Sequence, residues 1–229
     1  MAESSAPGAN RADQDRADQD RVPVGAGLTA SRVVAILRAE NADRAEAVVD
    51  VLVEAGVRSL ELTLTTKGAL DVVERLAARV PAEVEVGVGT VLTAADVDRS
   101  VDAGARFVVS PSVEPEVIAA ALRRRIASYP GAFTPTEIAA AWKAGASAVK
   151  LFPAGQLGPG YLKDVRAPLP DIPVVPTGGV GIASIGEWLA AGAVAVGMGG
   201  PLIGDALAPD GDLAALAQRA VAALEAARG

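Results

Sequence analysis

The chain has 229 residues, 51% of them hydrophobic, which is enough for one full-sized core, so a single domain is expected. The formal net charge of −7 excludes the basic surface that a nucleic-acid-binding protein needs. No apolar run reaches the roughly 20 residues of a membrane-spanning helix, and the N-terminus lacks the apolar core of a secretory signal. A cytoplasmic protein is therefore expected.

Neither cysteine nor histidine occurs in the sequence. Their absence excludes thiol nucleophiles, Ser-His-Asp relays, disulfides, and metal sites built on imidazole or thiolate. Acid, base or covalent chemistry is left to carboxylates, lysines, tyrosines and hydroxyls. Lysine is scarce as well, so a lysine-dependent mechanism has only four candidates: Lys67, Lys143, Lys150 and Lys163.

Residues 1–27 form a compositionally distinct segment that is rich in Ala, Asp, Gly, Pro and Arg. It contains the pentad RADQD twice in succession, at 11–15 and 16–20. Such a segment buries too little apolar surface to offset the entropy lost on ordering. We predict a disordered N-terminal tail over residues 1–27, with a short surface helix over the repeat as the alternative, and a single domain over residues 28–229.

Beyond the tail, short runs of β-branched residues alternate with alanine-rich segments of helical periodicity. The short runs are nearly continuous in apolar residues, which is typical of parallel strands buried on both faces. Ala-Gly pairs end four of the helical segments, and Thr93, Thr134 and Ser184 stand where N-caps are expected. The pattern predicts the α/β class and a (β/α)8 TIM barrel. The predicted strands are 33–38, 59–64, 84–89, 107–110, 126–129, 148–152, 174–176 and 194–197.

Lys150 lies in the sixth predicted strand, within the apolar run AVKLFP. Burying an unpaired ammonium is unfavourable, so a lysine at this position needs a specific reason. One interpretation is that a dry environment and a nearby guanidinium prepare the amine to attack a ketone carbonyl and form an iminium. The alternative is an outward-pointing side chain that reaches solvent between helices. The first is favoured because the other three lysines lie in helical or loop segments.

Glu61 places a carboxyl in the middle of the second predicted strand, SLELTL. Because side chains alternate between the two faces of a strand, Leu60, Leu62 and Leu64 should face the helices while Glu61 and Thr63 face the barrel interior. A carboxyl close to an interior lysine can exchange protons with a bound substrate. An ion pair that only stabilises the barrel is the alternative.

Reactive groups in a parallel barrel come from the carboxyl ends of the strands and from the loops that follow. Two glycine-rich turns occupy such positions after the seventh and eighth strands, and both can expose backbone N–H groups to a phosphate or carboxylate. The alternative is that these glycines serve only to permit tight turns. The polar strand ends are Arg38, Glu61, Thr63, Thr90, Ser110, Lys150 and Thr177, and the turns are Gly178-Gly179 and Gly197-Met198-Gly199-Gly200.

Taken together, these segments resemble the 2-keto-3-deoxy-6-phosphogluconate / 4-hydroxy-2-oxoglutarate aldolases of the Entner–Doudoroff type. The resemblance runs from about residue 33 to the C-terminal helix, and its specificity comes from the order and spacing of seven short motifs. The motifs are VAILR at 34–38, LELTL at 60–64, VGTVL at 88–92, VSP at 109–111, PG at 130–131, VKLFPA at 149–154 and VPTGGV at 175–180.

The resemblance implies a class I pyruvate aldolase in which Lys150 forms the Schiff base and Glu61 moves protons through a bound water. The implied reaction is reversible cleavage of a 2-keto-3-deoxy sugar acid, with 2-keto-3-deoxy-6-phosphogluconate as the expected substrate, to pyruvate and an aldehyde such as glyceraldehyde 3-phosphate. The implied substrate contacts are Arg38 and Thr90 for the pyruvate carboxylate, Pro111 and Phe152 around the pyruvyl methyl group, and Thr177, Gly178 and Gly179 facing the substrate.

The resemblance further implies a homotrimer that needs no metal or organic cofactor. Its partners would be the keto acid and aldehyde, not nucleic acid or membrane. Two positions depart from the family pattern: Thr65 stands where many members carry Arg, and Gly200 where many carry a phosphate-binding Ser. Neutralisation of the carboxylate would then rest more heavily on Arg38, and the preference for a phosphorylated substrate is left open. The alternative functions are a phosphate-sugar isomerase or epimerase on the same barrel and a non-catalytic oligomeric scaffold.

Overall fold

The computed structural model describes residues 21–229, and these residues form a barrel of eight parallel strands that alternate with helices. Neighbouring strands follow the order β7-β6-β5-β4-β3-β2-β1-β8, and a bridge between Thr177 and Gly197 joins β7 to β8. The predicted (β/α)8 architecture is confirmed. The strands are β1 Val33–Leu37, β2 Ser59–Thr63, β3 Glu85–Gly89, β4 Phe107–Ser110, β5 Ala127–Ala132, β6 Val149–Leu151, β7 Val174–Pro176 and β8 Val196–Met198.

The helices surround this barrel, and within residues 21–229 none is long and apolar enough to cross a membrane. Two short 3-10 turns, Ala154–Gln156 and Ile182–Ser184, interrupt the loops after β6 and β7. The α-helices are α1 Ala26–Ser31, α2 Ala45–Ala55, α3 Ala69–Arg79, α4 Ala94–Asp102, α5 Pro115–Arg124, α6 Pro135–Lys143, α7 Gly158–Arg166, α8 Ile185–Ala190, α9 Gly200–Ile203 and α10 Leu213–Arg228.

Helix ends follow the local sequence signals at most of the predicted places. Thr93 and Thr134 cap α4 and α6 in capping boxes completed by Asp96 and Glu137, so both N-cap predictions are confirmed. Ser184 also precedes a helix, but its side chain makes no cap and donates instead to the carbonyl of the third residue before it, at 2.9 Å. The reason is that Ser184 ends a 3-10 turn with φ −97° and ψ 0°, whereas a capping side chain needs an extended backbone. The four Ala-Gly stops have left-handed glycines, as expected: Gly56, Gly104, Gly145 and Gly192.

The apolar core has two layers, one between strands and helices and one inside the barrel. Leu60 and Leu62 of β2 lie in the outer layer, as the alternation of side chains predicts. The inner layer includes Phe107 and Tyr129, whose ring centroids are 5.3 Å apart. These rings fill the lower barrel, so the open space inside it lies towards the carboxyl ends of the strands.

Strand β5 runs further than the sequence predicts. The Pro130-Gly131 pair reads as a turn, and the predicted strand ends before it, yet β5 continues to Ala132. Gly131 pairs with Lys150 of β6, and a Cβ atom at Gly131 would lie 2.1 Å from the carbonyl oxygen of Pro111. The glycine therefore serves a close backbone approach within the barrel rather than a turn.

The amino end of the barrel is covered by residues 21–31. The Leu28 side chain is fully buried, and its backbone N–H donates to the Glu85 carboxylate at 2.8 Å. The backbone N–H of Gly25 donates to the Tyr129 hydroxyl at 3.2 Å. Residues 21–27, which the composition assigns to the tail, thus lie against the barrel, because apolar and small residues there match its open amino end. Residues 1–20, with the RADQD repeat, lie outside the described residues.

Candidate active site

Lys150 and Glu61 project into the barrel from opposite parts of the sheet. Lys150 stands on β6, and Glu61 stands on β2 beside Ile36 of β1. Only 7% of Lys150 and 2% of Glu61 is exposed, and both side chains line one narrow interior space of about 10 Å³. The two do not form a direct ion pair within 4.0 Å. The other lysines of the chain are exposed on the surface: Lys67, Lys143 and Lys163.

The Glu61 carboxyl is buried without full hydrogen bonding. Its Oε1 atom finds no hydrogen-bond partner among the described residues. Burial raises the pKa of Glu61 above its ordinary value, and the positive charges of Lys150 and Arg38 offset this rise only in part. A carboxyl whose pKa is raised in this way is suited to take up and release a proton during a reaction.

Gly89, at the end of β3, makes the space that the Glu61 carboxyl occupies. A Cβ atom built at this glycine would lie 1.9 Å from Oε1 of Glu61 and 2.5 Å from its carboxyl carbon. Both distances are far below any real contact, so the carboxyl reaches its position only because residue 89 has no side chain. The sequence singled out this glycine only as part of the VGTVL motif.

Gly89→Ala is expected to lower keto-acid turnover by about 100-fold, because a displacement of a reacting group by about 1 Å has an effect of that size. Steady-state kinetics and a thermal melt would be measured on the same preparation. Gly186→Ala in α8 is the matched control, since its new Cβ would meet nothing nearer than 3.9 Å. A Gly89→Ala variant with unaltered turnover would show that Glu61 need not hold this position.

Above the interior space, a cavity of about 360 Å³ opens at the carboxyl end of the barrel. Lys150 lines both spaces and therefore connects them. Of the residues that the sequence predicts for the site, eight line this cavity: Arg38, Lys150, Phe152, Thr177, Gly178, Gly179, Gly199 and Gly200. Gly197, which begins the second predicted glycine turn, also lines the cavity. The remaining lining residues were not predicted, since most are small or apolar and carry no chemical signal: Ile36, Val180, Pro201, Ile203, Gly204 and Leu207.

Thr90 does not line the cavity but contacts a residue that does. Its hydroxyl accepts a hydrogen bond from Nη2 of Arg38 at 3.4 Å. Thr90 has φ +61°, a left-handed conformation that a β-branched residue rarely adopts. Backbone strain of this kind costs on the order of 1–3 kcal/mol and is found mainly at binding and catalytic sites.

Phe152 and Pro111 occupy different places relative to the lysine. The Phe152 ring lies with its centroid 4.9 Å from Nζ of Lys150, inside the cavity. Pro111 lies at the end of β4, where its carbonyl oxygen faces Gly131, and it is not among the residues that line the cavity. The geometry thus brings Phe152, but not Pro111, to the surface that a ligand would meet.

The hydroxyls of Thr63, Thr65 and Thr66 form a small cluster at the end of β2. The Thr63 hydroxyl lies 3.0 Å from that of Thr65 and 3.2 Å from that of Thr66. Thr65 is exposed and adds no positive charge. Arg38 and Lys150 are therefore the two cationic side chains that line the cavity.

The two glycine turns line the cavity and contain backbone N–H groups without a protein acceptor in residues 21–229. Within the described part of the chain, the amides of Gly178, Gly179, Gly199 and Gly200 donate to no protein acceptor. Gly178 and Gly179 have φ of +84° and +82°, a conformation that glycine takes without strain. These turns can therefore offer several hydrogen-bond donors to an anion.

Carboxylates in residues 21–229 are too dispersed to form a group of three or more that could hold a metal ion. The polar groups that line the cavity are the amine of Lys150, the guanidinium of Arg38, the hydroxyl of Thr177 and the backbone amides of the glycine turns. The Glu61 carboxyl lines the adjoining interior space.

A family model described as KDPG and KHG aldolase matches residues 24–219, which covers most of the chain. The chain belongs to the KDPG and KHG aldolase family. A probable 2-dehydro-3-deoxy-6-phosphogalactonate aldolase from Rhizobium meliloti is 40% identical over 195 residues, or 85% of this chain and 90% of the relative. The resemblance recognised from the sequence motifs is confirmed, and the protein is an aldolase, a carbon–carbon lyase.

Solved structures agree with this family assignment of the aldolase. A structure described as native KDPGal has a TM-score of 0.80 at 32% identity and covers 86% of this chain and 94% of its own. A KDPG aldolase from Legionella pneumophila, described as holding pyruvate captured as a covalent carbinolamine, has a TM-score of 0.73 at 26% identity. The match with that structure covers 89% of this aldolase and 97% of the Legionella chain.

Proposed function

We propose that this aldolase cleaves a 2-keto-3-deoxy sugar acid reversibly, through a Schiff base on Lys150. The observation that carries the proposal is the placement of this amine: it is buried, it stands between the interior carboxyl of Glu61 and the open cavity, and the other three lysines are exposed. The pyruvate carbinolamine held by the Legionella aldolase supports a covalent amine mechanism.

The reaction begins when the neutral amine of Lys150 adds to the C2 ketone and forms a carbinolamine. Loss of water gives an iminium, which accepts the electron pair of the C3–C4 bond as that bond breaks. The proton of the C4 hydroxyl leaves to a base, an aldehyde is released, and an enamine remains on the lysine. Protonation of the enamine carbon and addition of water then release pyruvate and restore the amine.

Glu61 is the proposed proton carrier in these steps. As a carboxylate it accepts the proton from the C4 hydroxyl, and as a carboxylic acid it returns a proton to the enamine carbon. Burial raises the pKa of Glu61 and thereby favours its protonated form more than water does. The interior space that it shares with Lys150 is about the size of one water molecule, through which the proton can pass.

The substrate is proposed to lie with its carboxylate near Arg38 and its distal end at the glycine turns. Arg38 supplies the guanidinium, held by Thr90, and Phe152 packs beside the pyruvyl carbons. Pro111, which the resemblance places beside the pyruvyl methyl group, does not line the cavity and is given no direct substrate contact in this proposal. The amides of both glycine turns would hold a distal phosphate without a cationic side chain.

The proposed substrate is 2-keto-3-deoxy-6-phosphogluconate, with glyceraldehyde 3-phosphate as the aldehyde product. We expect wild-type protein to cleave it with a higher kcat/KM than unphosphorylated 2-keto-3-deoxygluconate or 4-hydroxy-2-oxoglutarate, because the free amides favour an anionic distal group. The galacto epimer belongs in the same comparison, since the Rhizobium relative is described for 2-dehydro-3-deoxy-6-phosphogalactonate. A faster reaction with the galacto epimer would make that epimer the substrate without changing the proposed reaction. If none of these acids were cleaved, the proposed function would be wrong.

Reduction with borohydride in the presence of pyruvate separates this proposal from its rivals. An isomerase or epimerase on the same barrel, or an oligomeric scaffold, would give no covalent adduct by mass spectrometry. We expect a stoichiometric adduct that maps to Lys150. The homotrimer, the cytoplasmic location and the N-terminal tail stay predictions that accompany this proposal.

A further inference from the structure

One wall of the cavity is a short segment of residues 199–206, here called the wall segment, which links β8 towards α10. It runs through Gly199, the four-residue helix α9 and Gly204. Gly199, Gly200, Ile203 and Gly204 all line the cavity. A helix of one turn is not stable by its own hydrogen bonds, so the shape of this wall depends on what packs behind it.

Arg219 of α10 lies directly behind the wall segment. Its Nε donates to the carbonyl of Leu202 at 2.7 Å, and its Nη2 donates to the carbonyl of Ile203 at 2.9 Å. These carbonyls belong to the last turn of α9, which has no partner for them within the helix. The carbonyl of Ile203 also accepts from the backbone N–H of Ala206 at 3.2 Å, whereas the carbonyl of Leu202 accepts from no backbone donor among the described residues. Arg219 is only partly buried, and it does not itself line the cavity.

Gly204 shows how closely the guanidinium supports this wall. A Cβ atom at Gly204 would lie 2.6 Å from Nη2 of Arg219, and the residue has φ +57° and ψ −130°. The backbone therefore turns across the guanidinium with the cavity on its other side, at a position that only glycine fills easily.

The use of this arginine differs from that of the ion-paired arginines on the surface. Within the described residues, Arg219 forms no salt bridge, and its donors go to backbone carbonyls, whereas a second group of arginines pairs with carboxylates. The ion-paired arginines are Arg75, Arg79, Arg99 and Arg124. The chain beyond the wall segment is also bound by an arginine side chain that donates to two backbone carbonyls: Arg44 donates to those of Pro209 and Gly211.

We propose that Arg219 is a positioning residue for substrate binding. By bridging two carbonyls of α9 it fixes the wall segment and, with it, the free amides of Gly199 and Gly200. Binding of the part of the substrate remote from Lys150 then depends on a guanidinium that the substrate does not touch. This inference rests on the proposed function, since it assumes that the cavity holds the distal end of a keto acid.

The test compares Arg219→Met and Arg219→Lys with Arg228→Met, an exposed arginine of the same helix. For the phosphorylated keto acid that wild-type protein cleaves fastest, KM is expected to rise about 10-fold in Arg219→Met, the effect of roughly one hydrogen bond, with kcat within about threefold. Arg219→Lys should show the same change at smaller size, because an ammonium cannot span both carbonyls as the planar fork does. Borohydride capture of pyruvate by Lys150 should be unaffected in all variants.

Amide hydrogen exchange supplies a readout that does not depend on turnover. Exchange across residues 199–206 is expected to accelerate in Arg219→Met and to stay unchanged in Arg228→Met. An unchanged KM, or a loss of pyruvate capture in proportion to the rise in KM, would overturn the inference. If wild-type protein cleaved no keto acid, the proposed function would fail. The role of Arg219 would then be tested by calorimetry, as the affinity of wild-type protein and of Arg219→Met for inorganic phosphate. Equal affinities would overturn the inference about Arg219.

Discussion

Lys150→Met is expected to abolish covalent capture of pyruvate and to lower kcat/KM for keto-acid cleavage by at least about 1,000-fold, as removal of a covalent nucleophile commonly does. The reason is that the iminium accepts the electron pair of the breaking C3–C4 bond, and a thioether can form no such link. Methionine nearly preserves the length of the side chain and its packing beneath Phe152. Mass spectrometry after borohydride reduction and steady-state kinetics measure the two effects.

The matched control is Lys143→Met, at an exposed position at the end of α6. This variant should capture pyruvate and cleave the keto acid like wild-type protein. The thermal midpoint of Lys150→Met should stay near or above that of wild-type protein, since a polar amine is removed from a site that is only 7% exposed. Stoichiometric capture on another residue of Lys150→Met would show that the wrong amine has been assigned.

Glu61→Gln is expected to slow turnover by about 100-fold or more, the usual contribution of a general acid–base group. The amide keeps the shape of the carboxyl and fits beside Gly89, but it cannot exchange a proton. Pyruvate capture should still reach completion, only more slowly, because Lys150 remains. Turnover close to that of wild-type protein would reduce Glu61 to a stabilising charge.

Glu61→Gln slows turnover, but it is expected to increase stability relative to wild-type protein as the pH rises. The pKa of Glu61 is raised by burial, so the folded state holds the proton more tightly than the unfolded state does. Wild-type protein therefore loses stability as the pH rises from the ordinary glutamate pKa of 4.5 through the raised pKa. Glutamine has no such proton, so the stability of Glu61→Gln relative to wild-type protein should grow over that window and then stay constant. Denaturant unfolding of both proteins across this pH range measures the difference. Burial also raises the pKa of Glu85, but this carboxyl is present in both proteins, so its contribution cancels in the comparison.

Local sequence patterns were sufficient for much of the fold, and their limits have identifiable causes. All eight strands were placed to within a few residues, because strands buried on both faces read as short apolar runs. Strand β5 was predicted too short, since a Pro-Gly pair is found both in turns and where two backbone segments approach closely, and the local sequence does not distinguish the two. Ser184 failed as a cap for a similar reason: the residue type is right, but the preceding 3-10 turn sets the wrong backbone angles.

Polar residues at strand ends marked part of the candidate site, and the closed barrel supplied the rest. Arg38, Lys150 and Thr177 were found because polar side chains are conspicuous within apolar runs. The apolar wall around Ile203 and Leu207 has no such signal, and neither has Arg219, which resembles any other arginine of an amphipathic helix. Such positions become visible only when the backbone path places them behind or beside the cavity.

The sequence by itself determined the chemistry that this protein can perform: it has no imidazole or thiol, it has four lysines, and it interrupts two buried strands with Lys150 and Glu61. These features are local, because burial of a charge is unfavourable wherever the strand ends up. Only the tertiary structure decided that the two groups line one interior space, that Gly89 leaves room for the carboxyl, and that a distant helix supports the wall of the cavity. Those relations depend on the closure of eight strands around one axis, a geometric condition that no single segment of the chain contains.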